Sequence, residues 1–163
     1  MTYKRAASMF VALVSCIALS GCLWSSPNEQ PMSVTMRDGE FIFHWCGAET
    51  KTFQYAQIKF ASYSPERTDG VAFQGSGRAS LEPGEEFSVG SPPAGIQPDV
   101  QNLIPSDHRL MIFLRTGSSE NELNGLRIQF RTPHPAEVEG RWLYPSGVIR
   151  DEPCGMRGAV TTE

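Results

Sequence analysis

From Met32 onward, apolar residues return at every second position in short runs, and Gly, Pro, Asn, Asp and Ser fill the gaps between them. Side chains alternate across a strand, so a period of two predicts half-buried strands joined by turns. Residues 33–37 open the series, Asp38-Gly39 supplies a pair that tolerates positive φ, and residues 40–46 return, which predicts a hairpin. The next strand is predicted over residues 53–63. Its apolar phase slips from Phe53 and Tyr55 to Ile58 and Phe60, which calls for a bulge or for burial on both faces. Shorter strands are predicted over residues 71–73, 77–81 and 86–89. Residues 109–115, Arg-Leu-Met-Ile-Phe-Leu-Arg, are apolar on both faces and read as a central strand, whereas Leu126, Ile128 and Phe130 alternate with Arg127, Gln129 and Arg131. Val138, Gly140, Trp142 and Tyr144 share a face of a further strand, and Pro145-Ser146-Gly147 turns the chain into Val148-Ile149. No helix is needed to place any of these runs.

Roughly seven to nine short strands without intervening helices predict an all-β fold. The expected architecture is an antiparallel β-sandwich of immunoglobulin-like shape, with a small barrel as the other way to close the sheets. Residues 90–108 stand apart, with four prolines, scattered apolar positions and no strand pattern. A loop of that length is often functional, and its Asp99, Asp107 and His108 can build a polar site or simply solvate a turn.

The first residues follow a different pattern. Lys4 and Arg5 precede an uncharged run over residues 6–19, and Leu19-Ser20-Gly21-Cys22 closes it. The run is too short to span a bilayer, which needs roughly 20 apolar residues in a helix. The order of basic start, apolar stretch and small residues before a cysteine resembles the signal of a bacterial lipoprotein, and Leu19-Ser20-Gly21-Cys22 resembles its lipobox. The resemblance implies cleavage before Cys22, lipid on the Cys22 thiol, and a location on the extracytoplasmic face of a membrane, the outer one if the cell has two. It divides the chain into a signal over residues 1–21, a lipidated tether over 22–31 and a single β-sandwich domain over 32–163. The tether is polar, carries Pro27 and Pro31, and reaches at most about 30 Å when extended.

The same resemblance removes Cys16 with the signal and commits Cys22 to lipid. It thereby implies that Cys46 and Cys154 pair in an oxidising compartment. A second use of these thiols is open: His44 and Cys46 point the same way from a strand, and with Cys154 and Met156 they offer soft ligands of a copper type. The net charge of −4 becomes −6 once Lys4 and Arg5 leave, and no basic cluster marks a nucleic-acid surface.

Catalytic motifs are absent: the mature part has no G-x-S-x-G, H-E-x-x-H, P-loop or C-x-x-C. His44, His108 and His134 leave room for a site assembled from distant positions, and Glu82, Glu85 and Glu86 read as a solvated turn. Phe41, Phe43 and Trp45 line one side of their strand, with Ile42, His44 and Cys46 on the other. If the cysteine side faces inward, the three aromatics form an exposed binding surface; if the strand is buried on both sides, they are core. The expectation is a lipid-anchored envelope protein without cofactor or resident metal. It would work as a binding or structural module toward the membrane and an envelope protein or polysaccharide. An envelope enzyme or a copper or zinc carrier is the alternative.

Overall fold

A computed structural model describes residues 31–62, 69–106, 108–117, 124–131 and 133–155. Two antiparallel sheets pack face to face, each of five strands, which establishes the β-sandwich. The strands are β1 (Met32–Arg37), β2 (Glu40–Trp45), β3 (Lys51–Ala61), β4 (Gly70–Leu81), β5 (Glu86–Ser88), β6 (Gln97–Gln101), β7 (Arg109–Arg115), β8 (Gly125–Phe130), β9 (Trp142–Leu143) and β10 (Ile149–Arg150). A short helix, α1 (Pro135–Val138), precedes β9. The first sheet runs β10-β9-β1-β2-β5 and the second β6-β4-β3-β7-β8. Ten strands among the described residues exceed the seven to nine expected.

The β1–β2 hairpin forms where the sequence places it. Asp38 (φ 53°) and Gly39 (φ 80°) both adopt the left-handed conformation that twists a two-residue turn to match its strands. The ladder then runs from Arg37 opposite Glu40 to Met32 opposite Trp45. Val34 pairs with Phe43 and Met36 with Phe41, so these side chains share one face, and it is the inner one. From the second sheet, Phe53, Ile58, Phe73, Leu110, Ile112, Leu114 and Phe130 meet them, each nearly inaccessible to solvent. The phase slip in β3 appears as register shifts between Phe53 and Tyr55 and between Ile58 and Lys59.

Three expectations need correction. The two strands predicted over 71–73 and 77–81 are one strand, β4. The Gly75-Ser76-Gly77 stretch reads as a gap only because it lacks large side chains. Gly77 (φ 139°) is required: a Cβ there would meet the Gly95 carbonyl oxygen at 2.0 Å, so glycine lets the chain that leads into β6 approach. The loop over 90–108 contains β6, Gln-Pro-Asp-Val-Gln, paired to β4 with Gln74 opposite Val100. An exposed edge strand has no apolar face to alternate, and its Pro98 suits an edge.

The strand expected through Val138 and Tyr144 is instead α1, with Pro135 at its start, a reversal at Gly140 (φ 69°) and the two-residue β9. Val138 is fully buried, and its carbonyl accepts a 2.8 Å hydrogen bond from Thr35 Oγ1. The chain after β10 crosses the outer side of β1, where Ser33 Oγ donates to the Pro153 carbonyl. Tyr144 is buried, which raises its phenol above its ordinary value, and its hydroxyl donates to the Glu152 carbonyl at 2.9 Å. Cys154 is bonded to Cys46 across 108 residues of sequence, with Cα atoms 5.4 Å apart.

Candidate functional site

Phe41, Phe43 and Trp45 do not form an exposed aromatic surface. Their exposures are 4%, 0% and 4%, and Phe43 stacks on Phe87 at 5.3 Å and lies 6.5 Å from the ring of Phe130. The aromatic side of β2 faces the opposing sheet because that side offers the larger apolar area. Trp45 finishes its polar edge by donating from Nε1 to the Glu49 carbonyl. Of the loop residues, Asp99 is exposed on β6 and Asp107 lies outside the described residues. His108 is buried, with Nδ1 2.8 Å from the Ser106 carbonyl and its ring edge-on to Phe60. That histidine is occupied by its own loop. His134 is exposed just ahead of α1, so the three histidines lie on separate elements.

The outward side of β2 carries the chemistry instead. His44, Cys46 and Cys154 form the one group of three metal-ligating side chains among the described residues, with their donor atoms within 4.8 Å of one another. His44 and Cys46 share the face because they are two apart on the chain, and the C-terminal segment brings Cys154 to them. Across the ladder, Glu86 of β5 lies opposite His44. Its Oε1 is 3.4 Å from His44 Nδ1, and its Oε2 accepts from Arg37 Nη1 at 2.9 Å. Trp142 packs edge-on against the imidazole at 5.3 Å. A surface cavity of about 200 Å³ between Gly47, Pro83 and Gly84 is bordered by both cysteines.

The hydrogen bond from Arg37 is the main reason the Glu86 carboxyl lies below its ordinary value of 4.5, with His44 contributing in the same direction and burial opposing. A lowered carboxyl contributes stability that is complete above the ordinary value and is lost as pH falls through the folded one. Urea midpoints measured from neutral to acid should therefore fall less steeply in Glu86→Gln than in the native chain. Identical acid limbs would show that the Arg37–Glu86–His44 chain is not formed. Glu86 was not legible as a site residue, because only the ladder register sets it beside His44.

The other pole of the sandwich holds a larger opening of about 450 Å³, beside the β1–β2 turn. Phe41, Val89 and Ile104 supply apolar walls, Leu103 stands 92% exposed at the rim, and Asp38 and Glu40 add carboxylates. Glu40 is oriented by accepting from the Gly90 amide at 2.7 Å. β1 separates the poles: Met32 lies at the disulfide end and Arg37 leads into the turn beside the opening. Six residues of strand cover roughly 20 Å.

The outer face of the second sheet is cationic around one ring. Lys59, Arg115 and Arg127 stand 5.8, 5.2 and 5.6 Å from the Phe113 centroid, within the range of cation–π attraction. Among the described residues, no helix is long and apolar enough to cross a membrane. No protein family, curated protein or solved structure matches this chain.

Proposed function

We propose that this chain is a lipid-anchored protein of the bacterial cell envelope, held outside the cytoplasmic membrane through Cys22, and that it acts as a binding module. The observation that carries the reading is the lipobox Leu19-Ser20-Gly21-Cys22 behind a basic start and a short apolar run. The Cys46–Cys154 bond supports it, since such bonds persist in oxidising compartments outside the cytosol. Two or more acyl chains on Cys22 hold a protein on a bilayer stably, where one chain holds it only marginally.

The polarity of the sandwich supports the binding half of the reading. The described chain begins beside Met32, on the pole of the disulfide, and the 450 Å³ opening lies at the opposite pole. Its volume is in the range of small-ligand and side-chain pockets. Apolar walls with Asp38 and Glu40 at the rim suit a segment of another envelope protein that brings an apolar side chain and a basic group.

Fractionation of expressing cells tests the location. The native chain should partition with membranes and into the detergent phase, and Cys22→Ala should appear in the aqueous fraction or the medium. Equal partitioning of the two would overturn the reading.

A further inference from the structure

We propose that His44, Cys46 and Cys154 form a redox-gated site for Cu(I), closed while the disulfide stands and open once it is reduced. This goes beyond the binding reading and does not depend on it.

Three features of the structure converge. The two sulfurs and an imidazole nitrogen already lie within 4.8 Å of one another, so modest side-chain rotation after reduction brings all three onto one ion. Histidine ligands characteristically give their second N–H to a carboxylate that fixes the ring, and Glu86 stands 3.4 Å from His44 Nδ1, itself held by Arg37. With Nδ1 donating its proton to Glu86, Nε2 would keep the lone pair. The disulfide also lies near the surface: Cys46 and Cys154 are half-buried and border the 200 Å³ surface cavity, a route for a reductant and an ion.

The chemistry balances with an external dithiol as reductant. The dithiol gives two electrons and two protons, its own sulfurs join, and the Cys46–Cys154 bond breaks to two thiols. Cu(I) then displaces the two thiol protons, forming two copper–sulfur bonds, and Nε2 supplies the third ligand. Soft thiolates favour Cu(I), and among the described residues the cluster offers two sulfurs and one imidazole, a set that suits three-coordinate Cu(I). A bridging ion would also re-join the C-terminal segment to the end of β2.

The test uses the full chain, reduced by a phosphine under anaerobic conditions and titrated with Cu(I) against a chromogenic Cu(I) chelator. A Cys46→Ser/Cys154→Ser chain corrects for Cys16 and Cys22. The expected result is one additional Cu(I) per reduced chain and none per oxidised chain. His44→Ala and Glu86→Gln should each weaken binding by at least about tenfold. Reduction should lower the melting temperature and Cu(I) should raise it again. A reduced chain that is folded by circular dichroism but holds no more Cu(I) than the double-serine chain would overturn the proposal, as would a His44→Ala chain that binds as tightly as native. If reduction unfolds the chain, failure of Cu(I) to restore the melting transition would overturn it equally.

Discussion

Replacing both Cys46 and Cys154 by serine lowers the free energy of unfolding by about 4 to 5 kcal/mol, because the bond closes a ring of roughly 100 residues in the unfolded chain. The folded state gives the C-terminal segment little else to hold it. β10 is two residues long, residues 150–152 are exposed, and the polar anchors are Ser33 Oγ on the Pro153 carbonyl, Tyr144 on the Glu152 carbonyl and the exposed pair of Arg141 Nε with Asp151 Oδ1 at 3.3 Å. The ring constraint therefore dominates over local contacts. Urea unfolding of the oxidised native chain and of the double variant measures the difference directly. A change below about 1 kcal/mol would mean that the unfolded chain retains the proximity the bond imposes.

Phe43→Ala should cost about 3 to 5 kcal/mol, the range for deleting a buried aromatic from a packed core. Phe43 has no exposed surface, and its ring touches neighbours from both sheets: Phe87 of β5 in its own sheet and Phe130 of β8 across the interface. Phe43→Leu, which keeps most of the apolar volume, should cost less than about half as much. The pair of variants separates core from surface. A residue that served as an exposed binding platform would tolerate alanine with no loss of stability, and that outcome would overturn the placement of β2.

The sequence made the hairpin, the bulged β3, the apolar β7 and the alternating β8 legible because each carries its own signal: a turn pair, a phase slip, or a clean period of two. It was silent on β6, whose Gln-Pro-Asp-Val-Gln becomes a strand only because Gly75 and Gly77 of β4 leave room for it. α1 and β9 were misread as one strand because Val138, Trp142 and Tyr144 are all buried, though by a helical turn and a reversal instead of a pleat. The orientation of β2 was undecidable locally. Ile42, His44 and Cys46 mix apolar and polar side chains, so that side suits either direction, and burial of the larger aromatic side against the opposing sheet settles the matter. Pairing of Cys46 with Cys154 followed from assigning the other two cysteines to the signal and the lipid. The approach of Glu86 to His44 did not follow from anything local, since 42 residues separate them.

Mass spectrometry of the purified mature protein with and without reductant reads the fate of all four cysteine sulfurs at once. The predicted result is a chain that starts at Cys22, carries acyl mass on that residue, lacks Cys16, and gains two hydrogens on reduction at Cys46 and Cys154. A chain that keeps residues 1–21, or one whose Cys22 is unmodified or bridged to another cysteine, would contradict it.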